Sequence, residues 1–359
     1  MNRIPELLKE WRSLLPLEEV MERYIDQQFM IDFNYNSNHL EGNTLTYGQT
    51  KLLLLFGNVM GSGSMQDFEE MKAHNVGLQW MKAMAKDVDF TLSEAFIREL
   101  NKTILVRDFY KLSRDREYRY QIKVGVYKSR PNSVITPSGE VFDYASVEET
   151  PSLMHDLIDW YRAEEKKGEL TIEELVAMFH YRYIRIHPFE DGNGRIARLI
   201  VNYILLKHGY PMIVVRTDDR KNYLEALGKC DILSGKAPFD GANATLDHVN
   251  PLTEYISNII EKKLESLIKY VKGEIKYLVE STEKTVLPDK DVSVNVSVNV
   301  SVKTKIKEII SQNPRISIKE MAKIIQVSER TIYRNIEILK KEGLIERVGS
   351  DKTGHWKVK

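Results

Sequence analysis

The most restrictive feature of this sequence is a short loop between two strongly helical segments. The segments cover residues 171–184 and 194–208, and the loop from His187 to Asn193 contains Pro188 and Gly192. Proline and glycine interrupt helices, so the loop is predicted to end one helix and to begin the next. Further segments place apolar residues near the helical period, at 5–86, 90–105, 152–165 and 222–233. The chain is therefore predicted to be mainly α.

Strand signals in the first 250 residues are confined to one region. Residues 124–127 and 133–144 carry short runs of β-branched and aromatic side chains, and the second run is interrupted by the turn formers Pro137 and Gly139. These runs predict a small β-hairpin from Val124 to Tyr144.

Length and charge divide the chain. A chain of 359 residues is expected to hold two or three domains. The formal net charge is zero, but residues 302–359 carry 14 Lys and Arg against 7 Asp and Glu, so this part is +7 and the remainder is −7. The predicted division is an N-terminal helical region at 1–110, a core at 111–250, a helical connector at 251–286, a linker at 287–302 and a basic module at 303–359.

The predicted linker contains an alternating run from Val292 to Val302, in which Val occupies every second position. This strand period fits a solvated linker, and it equally fits a strand that pairs with the same segment of a second copy in a homodimer. The sequence leaves both readings open.

Cysteine content and hydropathy predict a cytoplasmic protein. Cys230 is the single cysteine, which excludes an intrachain disulfide and a zinc site built from several cysteines. Charged residues interrupt the apolar positions of residues 1–15, unlike a signal peptide. No apolar segment has the length of a membrane-spanning helix, so we expect no membrane partner.

The loop and the first turn of the helix after it combine residues that handle phosphate. Gly192, Asn193 and Gly194 allow backbone N–H groups to turn inward at a helix start, where the helix dipole favours an anion. Arg195 and Arg198 are three residues apart, so they share a helix face and offer two guanidinium groups. A polyphosphate is the predicted ligand.

Two neighbouring residues add reactive chemistry. Asp191 supplies a hard oxygen that suits Mg²⁺ held mostly by phosphates and water, and His187 can take a proton near neutral pH. Each has an ordinary structural explanation alone, such as a helix cap for Asp191. Together they favour phosphoryl or nucleotidyl transfer. The sequence has neither a P-loop motif nor an H-E-x-x-H motif.

At these residues the sequence resembles the Fic family. His187-Pro-Phe189, Asp191-Gly-Asn-Gly-Arg195 and Arg198 match the family motif H-x-F-x-[DE]-G-N-G-R-x-x-R at every specified position. The resemblance implies a helical Fic core, ATP as substrate, Mg²⁺ as cofactor and transfer of AMP to a Ser, Thr or Tyr hydroxyl of a protein, with the chain itself as one such target.

The resemblance also implies a role for each residue. His187 is expected to be the general base and Asp191 the Mg²⁺ ligand. Gly192, Asn193 and Gly194 are expected to form the anion cradle, and Arg195 and Arg198 to contact the β- and γ-phosphates.

Two further roles rest on the same resemblance. The hairpin at 124–144 corresponds to a flap that positions the target by strand pairing, although a purely structural hairpin is the alternative. Asn222 and Tyr223 resemble residues that flank the adenine, although an aromatic residue there is also typical of a core.

A second family signature, [ST]-x-x-x-E-[GN], matches Ser37, Glu41 and Gly42. Residues 34–46 are less regular, and Ser37 is a candidate cap for a short helix there. The resemblance implies that this helix, at about 34–46, is inhibitory. Its Glu41 would pair with Arg198 and repel the γ-phosphate, which makes ATP binding unproductive. Related enzymes also use this glutamate to remove AMP, so a reverse activity stays open.

The basic module resembles a winged helix-turn-helix. Ser317 and Glu320 form a predicted capping box, and Ser328 is expected to cap the next helix. That helix would expose Arg330, Thr331 and Arg334. Its Ile332, Ile336 and Leu339 are predicted to pack inward, and residues 344–348 and 355–358 to form the wing.

The positive charge of this module favours duplex DNA as its partner, and docking to a protein is the alternative. Two alternatives for the whole chain also remain. One is a DNA-binding regulator whose Fic domain senses a nucleotide, and the other is a Fic enzyme that transfers a different phosphate-containing group.

Overall fold

The computed structural model describes residues 3–59, 61, 63–113, 117–135, 141–235, 237–275, 278, 306–307, 309–311, 313–325, 329–341, 343–349 and 354–358. The chain forms two compact units, Met1–Thr282 and Glu283–Lys359. Each unit contains its own cluster of buried apolar side chains. The prediction of a mainly α fold is confirmed.

The helices of the first unit follow one another with few strands between them. Their bounds are α1 Ile4–Ser13, α2 Glu19–His39, α3 Tyr47–Phe56, α4 Met65–Lys86, α5 Glu94–Leu105, α6 Thr150–Lys167, α7 Ile172–Ile186, α8 Asn193–Lys207, α9 Arg220–Ser234, α10 Pro238–Ala242 and α11 Leu246–Val271. Within the described ranges, every helix is too short or too polar to cross a bilayer.

Helices α7 and α8 form the centre of the first unit. α7 begins at a capping box in which Thr171 and Glu174 exchange side-chain and backbone hydrogen bonds. Every residue from 175 to 181 and from 195 to 205 is buried, because α6, α10 and α11 cover α7 while α4 and α5 cover α8. The loop between these two helices is therefore held at both ends by the core.

Helix α11 belongs to this core. It packs against α1, α7 and α9, and its Ile256, Ile260 and Leu264 form a buried stripe four residues apart. The predicted connector at 251–286 is therefore wrong for residues 251–271. The amphipathic pattern there reflects burial against the first unit, and the helix begins at Leu246 rather than at Pro251.

Two antiparallel hairpins lie between α5 and α6. The first pairs β1 (Phe109–Leu112) with β2 (Arg119–Ile122), and the second pairs β3 (Val134–Ile135) with β4 (Val141–Phe142). The second hairpin falls within the predicted strand region 133–144, and its turn at 136–140 lies outside the described residues. The first hairpin was not predicted.

The predicted strand at 124–127 is wrong. Gly125 has φ 70, in the left-handed region that favours glycine, and residues 124 and 125 form a turn. The turn is fixed from α5, because Arg98 donates to the Gly125 carbonyl at 2.9 Å and the Gly125 N–H donates to Asn101 Oδ1 at 2.8 Å.

Ser37 lies inside the last turn of α2, where it is buried. The prediction of a separate short helix at about 34–46, capped by Ser37, is therefore wrong. The helix continues to His39, and the side-chain amides of Asn34, Asn36 and Asn38 along it each donate to the carbonyl four residues earlier. Glu41 follows the end of α2, and Gly42 turns the chain with φ 97.

The second unit matches the predicted helix-turn-helix and wing. Its helices include α12 Ile318–Ile325 and α13 Glu329–Lys341, and β5 (Ile345–Val348) pairs with β6 (His355–Val358). The capping box of Ser317 and Glu320 is present, and the buried residues include Ile332, Ile336 and Leu339. Arg334 is exposed. The side chains of Arg330 and Thr331, and the predicted cap Ser328, lie outside the described set.

Candidate active site

The active loop, residues 187–193, joins α7 to α8 through two left-handed residues. His187 ends α7 with φ 50, and Gly192 precedes α8 with φ 82. The Asn193 side chain accepts from the N–H of Phe189 at 3.0 Å and donates to its carbonyl at 2.6 Å. Phe189 is 1% exposed. The loop is thus closed on itself and anchored in the core, with the N-terminus of α8 facing the same region.

Arg195 and Asp191 form an ion pair across the first turn of α8. Arg195 Nη2 donates to Asp191 Oδ1 at 3.1 Å, and Arg195 Nη1 donates to Glu70 Oε2 on α4 at 3.3 Å. Lys111 from β1 contacts the other oxygen of Asp191. Burial raises the pKa of Asp191, but Lys111 and Arg195 hold that pKa below its ordinary value. The carboxylate is therefore ionised at neutral pH.

Arg198 is held by the end of α2. Its Nε donates to Ser37 Oγ at 3.0 Å, and its Nη2 donates to the Ser37 carbonyl at 2.8 Å and to Glu41 Oε1 at 2.7 Å. Burial raises the pKa of Glu41, but the Arg198 guanidinium beside it holds that pKa below its ordinary value. The motif arginine and the residues of the second signature are thus brought together over 157 residues of sequence.

Glu41 also approaches the backbone at the start of α8. A Cβ placed on Gly194 would overlap the Glu41 carboxylate and approach Arg198 Nη1 to 3.0 Å. Only glycine leaves room for an anion at this position. The Glu41 carboxylate therefore lies against the helix N-terminus, where an anion is favoured.

The side chain of His187 is oriented by a stacked tyrosine and a backbone contact. The rings of His187 and Tyr144 lie 3.9 Å apart with an interplanar angle of 15°, and Nδ1 lies 3.3 Å from the Ile184 carbonyl. Loss of surrounding water, with the charge of Lys128 nearby, lowers the pKa of His187 to about 4. The imidazole is therefore neutral at physiological pH and able to accept a proton.

Lys128 and Asn132 brace the active loop from the turn after the first hairpin. Lys128 Nζ donates to the carbonyl of Ile186 and to Asn132 Oδ1, both at 3.0 Å. Asn132 Nδ2 donates to the carbonyls of His187 and Phe189. Lys128 is buried, and desolvation lowers its pKa to about 8. Sequence reasoning missed this brace because a single lysine and asparagine carry no recognisable pattern.

A magnesium ion fits Asp191 only as an ion shared with phosphate. Within the described residues, His, Cys, Asp and Glu side chains form no cluster of three or more that could hold a metal. Asp191 offers one hard carboxylate beside the α8 N-terminus, and Mg²⁺ is commonly held by one or two carboxylates with phosphates and water. Lys111 contacts one of its oxygens, so a metal there has to replace that contact.

Asn222 and Tyr223, the two residues expected to flank the adenine, lie in different environments. Tyr223 is buried, and its hydroxyl lies 2.7 Å from His180 Nε2 in the core. Asn222 is exposed and donates to Asp219 Oδ1 at 2.5 Å. Tyr223, His180 and Arg198 line one small cavity. The contact of these two residues with adenine stays a prediction.

Two regions of the chain match known protein families. The sequence profile described as the Fic/DOC family matches residues 91–205, which include the active loop and most of α8. A second profile, described as an HTH domain, matches residues 302–353.

Individual relatives extend the match beyond the profile. The crystal structure of a Fic domain containing signaling protein from Bacteroides thetaiotaomicron is 54% identical, with a TM-score of 0.73, covering 78% of this chain and 99% of that one. Protein adenylyltransferase fic-1 of Caenorhabditis elegans is 26% identical, covering 71% of this chain and 44% of that protein. Protein adenylyltransferase Fic of Nematostella vectensis is 27% identical, covering 55% and 42%. The chain thus spans less than half of these two curated relatives.

Proposed function

The chain belongs to the Fic/DOC family, and we propose that it is a protein adenylyltransferase that moves AMP from ATP to a Ser, Thr or Tyr hydroxyl of a protein. The observation that carries the proposal is the arrangement of the active loop and the start of α8, which brings a neutral imidazole at His187 next to a helix N-terminus and the two buried arginines of that helix. The names of the curated relatives support the same reaction.

The proposed reaction is a substitution at the α-phosphorus of ATP. His187 takes the proton of the acceptor hydroxyl, and the hydroxyl oxygen forms a bond to the α-phosphorus. The bond between the α-phosphorus and the bridging oxygen breaks, and pyrophosphate leaves with that electron pair. The N–H groups at the start of α8, with Arg195 and Arg198, bind the phosphates through charge-assisted hydrogen bonds.

Asp191 is the proposed ligand of Mg²⁺, which would supply charge neutralisation to the polyphosphate. The neutrality of His187 at physiological pH supports its role as a base, because a protonated imidazole has no lone pair to offer. Tyr144 follows β4, so the second hairpin and the base meet through the stacked rings. This contact supports a flap that presents the target next to His187.

We propose that Glu41 restrains this activity. Its carboxylate lies against the α8 N-terminus and occupies Arg198, so a γ-phosphate has to compete with a negative charge for the same groups. Movement of the end of α2 would free Arg198. The same carboxylate could orient water for AMP removal, which is a second outcome to be measured.

Intact-mass analysis tests the proposal. The Glu41→Gly protein is incubated with Mg²⁺ and ATP, and Glu41→Gly/His187→Ala serves as the control. We expect a gain of one or more AMP units in the first protein and none in the second. A phosphate-sized gain would indicate a kinase, and no gain with folded protein would favour the nucleotide-sensing regulator.

We further propose that the C-terminal unit binds duplex DNA. The match to an HTH domain, the exposed Arg334 on α13 and the net charge of +7 over residues 302–359 support this. Fluorescence anisotropy with a labelled duplex at several salt concentrations tests it. Binding that weakens steeply with salt is expected, and no binding at low salt would favour docking to a protein.

A further inference from the structure

A lysine outside the family motif contacts the carboxylate that is proposed to hold magnesium. The ammonium of Lys111 forms an ion pair with Asp191 Oδ2, and Arg195 donates to Oδ1 of the same carboxylate. Both oxygens of Asp191 therefore face a cation. The family resemblance assigns no role to Lys111.

Strand geometry directs Lys111 toward the site. Its neighbours on β1, Tyr110 and Leu112, are 67% and 52% exposed, whereas Lys111 is only partly exposed. Side chains alternate between the two faces of a strand, so Lys111 points away from the exposed face and toward Asp191. The position of the ammonium thus follows from the register of the β1–β2 hairpin, in which Lys111 lies opposite Tyr120.

The charged groups around the active loop neutralise one another. Three cations and three carboxylates form a set of ion pairs: Lys111 with Asp191, Arg195 with Asp191 and Glu70, and Arg198 with Glu41. Each cation that faces the phosphate site is therefore already matched by a carboxylate. A triphosphate that takes over these cations releases the carboxylates at the same time.

We propose that Lys111 keeps free divalent cations off Asp191 until a nucleotide binds, and that its ammonium then contacts the phosphates. A divalent cation at Oδ2 would meet the ammonium as a like charge, which opposes binding. Phosphate oxygens offer the ammonium a more negative partner than one carboxylate, so the arriving nucleotide draws Lys111 from Asp191. The inference rests on the proposed function, because it takes the site to be one for metal and nucleotide.

Binding of Mn²⁺ to the nucleotide-free full chain tests the first half of this proposal. Free Mn²⁺ is measured by electron paramagnetic resonance in the wild type, Lys111→Met, Asp191→Asn and Lys111→Met/Asp191→Asn. Lys123→Met removes an exposed cation just beyond β2 and is the matched control. Lys111→Met should bind Mn²⁺ about tenfold or more tightly than the wild type, because a cation within a few ångströms of the carboxylate is gone.

The results for the double variant and the control variant show which outcomes would overturn the proposal. The double variant should lose the gain, and Lys123→Met should match the wild type. Equal Mn²⁺ affinity in Lys111→Met and Lys123→Met would show that Lys111 does not compete. Absence of binding in Lys111→Met would have the same meaning, since Asp191 would then take no cation even when the lysine is removed.

ATP binding in the presence of EDTA tests the second half. Isothermal titration calorimetry should give a several-fold weaker affinity for Lys111→Met than for Lys123→Met, because one phosphate contact is lost. An unchanged affinity would remove Lys111 as a phosphate ligand. Neither the Mn²⁺ measurement nor the ATP measurement needs AMP transfer. If the chain transfers no AMP but both binding results are as expected, the proposed role of Lys111 still holds.

Discussion

The carboxylate of Glu41 accepts a hydrogen bond from Arg198 Nη2 at 2.7 Å, and the same guanidinium donates to Ser37 Oγ at 3.0 Å. The end of α2 and the start of α8 are thus joined through one arginine. Because Arg198 is also the proposed γ-phosphate contact, the position of α2 determines whether that contact is available. Inhibition in this account is a competition between a carboxylate and a phosphate for one cation.

Removal of the competing carboxylate should activate the enzyme. Glu41→Gly is expected to raise AMP transfer about tenfold or more, since a hydrogen bond to a charged group contributes about 1.5–3 kcal/mol and partial exposure of Glu41 reduces that value. Glu41→Gln keeps the size and one acceptor oxygen, so it should activate less. Initial rates with saturating ATP compare the three proteins, and equal rates would refute the inhibitory role.

Removal of the Ser37 hydroxyl should weaken the hold of α2 on Arg198. Ser37→Ala leaves the buried Arg198 Nε without this partner, which costs about 1–3 kcal/mol of unfolding free energy. Transfer should rise, but less than in Glu41→Gly, because the carboxylate remains. Urea unfolding measures the stability, and Ser152→Ala on the exposed face of α6 is the control. Equal losses in both variants would argue against a specific contact.

The pH dependence of transfer should reflect a neutral His187. Its pKa is lowered to about 4, so the base is available at any pH well above that value. The rate of the Glu41→Gly protein is expected to stay level from pH 8 down to about pH 5. A half-maximal rate near the ordinary histidine pKa of about 6.5 would contradict this environment.

The same shift affects stability. A histidine whose folded-state pKa is lowered costs nothing above its unfolded pKa of about 6.5, and it destabilises the fold progressively as the pH falls from there to about 4. His187→Gln removes this titration. The difference in unfolding free energy between the wild type and His187→Gln should therefore change between pH 7 and pH 5, with the wild type losing more.

Lys128 should help to keep the pKa of His187 low. Its ammonium lowers the pKa of His187 and donates to the Ile186 carbonyl. Lys128→Met should raise the pKa of His187, whereas Lys128→Arg retains the charge and should raise it less. Titration of the His187 C2 proton by NMR measures the pKa in each protein. The same value in wild type and Lys128→Met would show that the lysine acts only as a brace.

Arg334 should contribute to DNA binding through charge. Arg334→Ala is expected to weaken binding of duplex DNA and to reduce the slope of log affinity against log salt by about 1, as for the loss of one phosphate contact. Arg334→Lys keeps the charge and should retain the slope. Anisotropy titrations at several salt concentrations measure both, and an unchanged slope in Arg334→Ala would remove this residue from the interface.

The active loop was predictable because its chemistry is contiguous in sequence. His187, Asp191 and Arg198 lie within one loop and the first two turns of the following helix, so spacing alone brought them together. The glycines of the motif have matching physical reasons, since Gly192 is left-handed and Gly194 leaves room for an anion. The pairing of Glu41 with Arg198 needed the family resemblance, because nothing local in the sequence joins α2 to α8.

Residues supplied by other elements were not predictable. Lys111, Lys128 and Asn132 come from short hairpins and turns, where the contacts depend on register and on one left-handed residue, Gly125. The wrong prediction of a helical connector at residues 251–271 has a different cause. An amphipathic helix shows the same pattern whether it covers its own domain or leads away from it, and only the packing of α11 against α7 and α9 distinguishes these cases.

The most direct test of the central claim follows the phosphates of ATP. Glu41→Gly, the wild type and Glu41→Gly/His187→Ala are incubated with Mg²⁺ and ATP labelled either at the α- or at the γ-phosphate, and protein-bound label is counted. The account predicts α-label on the Glu41→Gly protein, less on the wild type, none on the double variant, and no γ-label on any of them. Transfer of γ-label, or α-label that persists without His187, would contradict it.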